Sequence, residues 1–129
     1  MAITEEDALR AYAKMMNTLS IGTFGDFLAD DFTYESQHVF SALTSKQDFL
    51  EYIEPKLKTV AHANATVYAE MGTIAAYGRT RPCVVLAQND KTNLVGLVLS
   101  EFSNGKLKRL DLCIVPSPHT ATRTGEYPK

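Results

Sequence analysis

The chain has 129 residues, 45% of them hydrophobic and 22% charged, with a formal net charge of −2. That is the length of one domain, and a core of this size holds without metal or disulfide support. A weakly acidic balance gives no general attraction to nucleic acid or to an anionic membrane, so neither is an expected partner.

No leader pattern opens the chain and no apolar run is long enough to span a bilayer, so the expected location is the cytoplasm. Cys83 and Cys113 fall in predicted strands, without a CxxC or a Cys/His spacing suited to zinc. They read as small buried hydrophobes kept reduced, and neither metal nor cofactor is expected. The basic group Lys106, Lys108 and Arg109 reads as a solvated hairpin end.

Thr4-Glu-Glu-Asp7 is a helix start, a hydroxyl cap with acids where the helix dipole is positive. Leu9, Tyr12, Ala13, Met16 and Leu19 follow at helical spacing, and Gly22 is the predicted stop. Thr23 is placed to cap a short helix through Phe24, Phe27 and Leu28. Phe32, Tyr34 and Ser36 then alternate with Thr33, Glu35 and Gln37, which is strand periodicity. Ser45, with Asp48 three residues on, caps another helix whose stripe is Phe49, Tyr52, Ile53, Leu57 and Val60. Pro55 within it predicts a kink, or a restart with Pro55 in a first turn.

The second half changes period. Ala65–Tyr77, Pro82–Ala87, Leu94–Phe102 and Leu107–Val115 read as four strands. Asn89-Asp90-Lys91-Thr92 turns one hairpin and Asn104-Gly105 the next, the latter a strong hairpin signal. Helices first and antiparallel strands after is an α+β pattern. Residues 1–129 form a single domain, with 116–129 a polar tail that Pro116 and Pro118 separate from strand pairing. The tail is expected to lie against its own domain or a partner subunit.

Phe27 to Ile53, with Leu28-Ala29-Asp30-Asp31 entering a strand and a capped helix following, resembles the nuclear transport factor 2-like superfamily. That superfamily includes ketosteroid isomerases and the SnoaL-like polyketide cyclases. The likeness runs from about Thr4 to Val115. It implies a cystatin-like cone: a curved antiparallel sheet wrapped around N-terminal helices, with a pocket inside. Laying the isomerase pattern along the chain without a gap puts its tyrosine on Tyr12, its aspartate base on Ser36 and its second acid near Val98. A serine cannot replace a carboxylate as base at neutral pH, so that isomerisation is not expected here.

Three residues remain candidates for catalysis. Tyr12 is either a hydrogen-bond donor in the pocket or a core tyrosine on the helix stripe, and the missing acids favour the core. His38, just beyond the strand, is either a base or a solvated loop histidine. Asp111 is catalytic only if it faces the cone. If Leu110 and Leu112 face inward, Asp111 and Arg109 form a structural ion pair on the outer face, which Arg81 and Glu101 could join. His62 is placed to meet the C-terminal dipole of its helix. The resemblance implies a pocket lined by Tyr12, Met16, Phe32, Tyr34, Ser36, Phe49, Tyr52 and Val98, with Met15 and Phe40 nearby.

Three functions follow. The preferred one is binding of a small apolar or amphipathic molecule in the cone. The others are an acid–base lyase, isomerase or cyclase of the SnoaL-like type, and a dimeric interaction module without ligand. An open cavity with converging Tyr12, Ser36 and His38 points to the enzyme. An open cavity without carboxylates points to binding, and a filled one to the interaction module. A homodimer is expected through the outer sheet face. If Val98 faces the cone, then Val95, Leu97 and Leu99 face outward beside Val85 or Leu86, and in water they would form an apolar patch.

Overall fold

The computed structural model describes residues 3–37, 42–76 and 78–129. Thr4 caps the first helix, α1 (Glu5–Thr18). The Thr4 Oγ1 accepts from the Asp7 backbone N–H at 3.1 Å, and the Asp7 carboxylate accepts from the Thr4 N–H at 3.0 Å. The helix ends ahead of Gly22 because Leu19 takes the left-handed conformation, φ +54°, and its N–H turns back to the Met15 carbonyl. A 3-10 turn at Phe24–Phe27 follows, without a side-chain cap from Thr23.

The second helix, α2 (Lys46–His62), starts at Ser45, whose Oγ accepts from the Asp48 N–H at 3.1 Å. It runs through Pro55 as one helix, so there is no restart. The Glu51 carbonyl loses its usual partner there.

Six strands make one sheet: β1 (Leu28–Ser36), β2 (Val67–Ala76), β3 (Arg79–Gln88), β4 (Leu94–Ser103), β5 (Lys106–Cys113) and β6 (Thr122–Arg123). Their order is β1-β5-β4-β3-β2-β6. β1 runs parallel to β5, and every other pair is antiparallel. Asn104 and Gly105 both have positive φ, 54° and 77°, as the tight β4–β5 hairpin requires. The sheet is curved and unclosed.

β3 begins three residues earlier than its expected start at Pro82, so Pro82 lies inside the strand, opposite Thr73. The β3–β4 ladder spans only Ala87↔Leu94 to Val84↔Val98. Pro82 thus sits where β3 has no ladder partner on that side, which suits a residue without an N–H.

The inner face carries Phe32, Tyr34, Val84, Leu86, Val98 and Leu110 against Leu9 and Tyr12 of α1 and Phe49 and Ile53 of α2. The outer face carries a second cluster of Ile74, Cys83, Val85, Leu97, Leu99 and Cys113. Strand parity therefore places Val98 inside and Leu97 and Leu99 outside. The two leucines are not an exposed patch, however, at 0% and 3% exposure. The tail covers this cluster: Pro118 is buried in a 3-10 turn (Pro118–Thr120) beside β4, and Ala121 packs on the same residues. Burial of each leucine contributes roughly 1.5–3 kcal/mol.

Strand pairing then resumes beyond the two prolines, as β6 on the edge of β2. Of the two places open to the tail, its own domain is the one it occupies. No helix among the described residues is long and apolar enough to cross a membrane.

Candidate functional site

The interior of the cone is lined with aromatic side chains. Aromatic rings run through it from Tyr12 to Phe24 (centroids 5.5 Å apart), to Phe49 (6.1 Å), to Tyr34 (5.2 Å) and to Tyr52 (5.9 Å). Phe32 meets Phe49 edge-on at 5.1 Å. Alternation on β1 and helical spacing on α1 and α2 bring these rings together. Between them remains a cavity of only about 40 Å³, bounded by Tyr12, Met16, Tyr34, Leu57, Leu86 and Leu112 among others. That is room for a water or two, far below the several hundred Å³ of a small-molecule site.

No carboxylate from the described residues lines this cavity. Burial, with Tyr34 and Tyr52 nearby, pushes the Tyr12 hydroxyl well above its usual pKa. Burial likewise raises Tyr34, partly offset by a hydrogen bond with Ser36. Both phenols are therefore neutral at physiological pH and suited to donating hydrogen bonds, not to taking protons.

The expected lining residues divide. Tyr12, Met16 and Tyr34 border the cavity. Phe32, Phe49 and Val98 are core, at 0% exposure. Ser36 is buried beside the Tyr34 hydroxyl. Tyr52 is half-buried, and its hydroxyl accepts from the Lys56 Nζ at 2.9 Å. His38 and Phe40 lie outside the described residues. Leu19, Lys56, Val60 and Leu112 also line the cavity but were not among the expected lining residues. All but Lys56 are ordinary members of apolar stripes, with nothing to mark them. His62 falls in the last turn of α2.

The larger concavity, about 820 Å³, is on the other side of the sheet. Its lining includes Leu99 and Cys113 with six charged residues: Glu35, Arg79, Arg81, Glu101, Arg109 and Asp111. Leu110 packs in the inner core and Leu112 against it, so Arg109 and Asp111 point outward as parity predicts. The Arg109 Nε donates to both Asp111 carboxylate oxygens, at 3.1 and 2.9 Å, and its Nη2 reaches Glu35 at 3.0 Å. Those bonds, Asp111 first, hold the guanidinium above its already high pKa. Arg81 is buried, and its Nη2 donates to the Ser100 carbonyl at 2.5 Å, where the β3–β4 ladder has ended. No group of three or more His, Cys, Asp or Glu suited to a metal ion occurs among the described residues.

A helix-filled cone behind a curved sheet is the architecture of the nuclear transport factor 2-like fold, and this chain has it. Solved structures bear this out. A nuclear transport factor 2-like protein of unknown function from Cytophaga hutchinsonii is 13% identical, with 90% of this chain and 96% of that one covered, at a TM-score of 0.61. A putative polyketide cyclase from Sinorhizobium meliloti is 14% identical, covering 83% and 94%, at 0.57. A de novo designed protein with a curved β-sheet is 19% identical, covering 85% and 86%, at 0.56. No family model matches the sequence, and no curated protein does. A fold of this kind does not by itself carry a function.

Proposed function

We propose that this protein is an interaction module of the nuclear transport factor 2-like fold, pairing with a second copy through the outer face of its sheet. The observation that carries this reading is the contrast between the two faces. The interior closes to about 40 Å³, while the outer face holds a concavity of about 820 Å³ with three arginines and three acids on its lining. A two-fold axis brings such a patch against its own image, where each charge can meet its opposite. Val95 of β4 is exposed, and Val115, two residues beyond β5, is more exposed still, which offers apolar contact. Light scattering at micromolar concentration tests the pairing. Twice the chain mass is expected, and Glu101→Arg should split the pair; a wild-type monomer would reject the reading.

A second reading is binding of a small amphipathic molecule inside the cone, with the lyase, isomerase or cyclase activity as its catalytic variant. The Tyr12 hydroxyl favours it, because it lies at the cavity and no hydrogen bond to it is found among the described residues. A ligand would need α2 to move outward, since Ile53, Leu57 and Val60 of that helix form one wall. Phenol is a suitable probe. A thermal shift with phenol that is lost in Tyr12→Phe supports this reading, and no shift up to millimolar phenol counts against it.

A further inference from the structure

The C-terminal tail lies on the edge of β2 in a way that reads its sequence. Main-chain bonds join them: Arg123 and Thr122 pair with Gly72 and Thr73, the Thr124 N–H donates to the Met71 carbonyl at 3.2 Å, and the Met71 N–H donates to the Glu126 carbonyl at 2.9 Å. Gly125 stands between the last two with φ +80°, a conformation that favours glycine.

Side chains then distinguish one tail residue from the next. The Glu70 carboxylate, 4% exposed, accepts from the Arg123 Nε at 2.6 Å and from the Gly125 N–H at 2.7 Å. Arg10 of α1 holds Glu126 at 2.6 Å. Tyr127 stacks edge-on against Tyr68, with the Lys91 ammonium 4.5 Å from its ring centre. Asn17 donates to the Pro128 carbonyl at 2.7 Å while its own side chain is held by Ala69 of β2. Gly72 supplies the close approach, since a methyl group there would lie 2.8 Å from the Thr122 carbonyl oxygen. Backbone pairing for affinity and side-chain contacts for register is how an exposed sheet edge recognises an extended peptide.

We infer that the edge of β2, with Glu70, Gly72, Arg10 and Asn17, is a peptide-recognition groove that accepts the Arg-Thr-Gly-Glu-Tyr-Pro segment of a second copy as well as its own. The occupant is fixed by these contacts: a basic residue for Glu70, a glycine two places on, then an acid for Arg10 and an aromatic ring for Tyr68 and Lys91. Exchange of tails between copies preserves each contact, so its cost is confined to association and to the linker. That linker, Ile114–Ser117, lies outside the strands and the 3-10 turn, and Ile114 and Val115 are 47% and 72% exposed. The inference is independent of pairing through the charged concavity, whose lining includes none of the groove residues.

Fluorescence anisotropy with a labelled peptide of residues 119–129 tests it on the full-length chain. Wild-type protein should bind weakly, because its own tail competes. Arg123→Ala loosens that tail and leaves the groove intact, so peptide affinity should rise at least tenfold. Glu70→Ala also loosens the tail but removes the acid that reads it, and no gain is expected. A peptide carrying Arg123→Ala should likewise gain nothing on the Arg123→Ala protein, which keeps the test decisive if Glu70→Ala does not fold. Binding no better than that of a scrambled peptide overturns the groove. For the second copy, full-length Glu70→Arg and Arg123→Glu chains are mixed at equal concentration after Glu101→Arg is added to both. A mass of two chains that forms only in the mixture is expected, and separate monomers overturn the exchange.

Discussion

Arg109 and Asp111 stand two residues apart on β5, so their side chains share the outer face, and the guanidinium Nε donates to both carboxylate oxygens. This places Asp111 away from the cone cavity and gives it a structural partner. Asp111→Ala should leave Arg109 on Glu35 alone and cost about 0.5–1.5 kcal/mol, the range of a partly exposed charged hydrogen bond. Urea denaturation measures it. A loss beyond about 3 kcal/mol would mean that Asp111 supports more than this pair.

The buried phenols set a pH limit. Tyr12 and Tyr34 have folded-state pKa values above the ordinary 10.0. A raised folded value means that the folded chain keeps these protons when the unfolded chain has lost them. The stabilisation is therefore fully present below about pH 10 and falls as pH rises further. Absorbance at 295 nm should show at most four of the six tyrosines ionising before the protein unfolds. Six ionising together in folded protein would place Tyr12 and Tyr34 in contact with water.

Much of the fold was legible because it rests on local rules. Thr4 and Ser45 cap helices by side-chain chemistry visible within three residues, and Asn104-Gly105 fixes a hairpin by its backbone preferences. Strand parity assigned Leu97 and Leu99 to the outer face once the resemblance put Val98 in the cone, since that stretch is apolar at every position and shows no alternation of its own. What escaped was whatever depends on distant packing. Nothing in a polar tail with two prolines announces that Arg123 will meet Glu70, fifty-three positions away. The same tail buries Leu97 and Leu99, so their parity was readable but their exposure was not. The cavity's size was unreadable as well, because the same aromatic residues can line a pocket or fill it.

The two cysteines should be inert in the folded protein. Burial pushes the Cys83 thiol up to about 12, and it also raises Cys113, with Asp111 adding to the effect. Thiolate is the reactive form, so little is present at pH 8. Ellman's reagent should label neither residue within the time that labels both in urea. Rapid labelling of Cys113 alone would mean that the tail lifts from the outer cluster on that timescale.

Gly72 offers the sharpest test of how the tail is held. Alanine suits a strand better than glycine, so Gly72→Ala on a free edge should stabilise the chain slightly. Here the added methyl meets the Thr122 carbonyl oxygen at 2.8 Å, with Val85 and Cys83 at 3.5 and 3.6 Å behind it. The obstacle is backbone, and that backbone is tied on one side by the Arg123–Glu70 pair and on the other by the turn Pro118–Thr120. Crowding should outweigh the strand preference and cost about 1–3 kcal/mol. The strain falls on β6, so the tail should loosen before the core does. Trypsin reports this, because Arg123 is protected from cleavage while it is paired with Gly72. Cleavage after Arg123 should accelerate at least tenfold in Gly72→Ala, with global unfolding still cooperative. An unchanged cleavage rate, or a variant more stable than the wild type, would mean that the tail does not lie closely on this edge in solution.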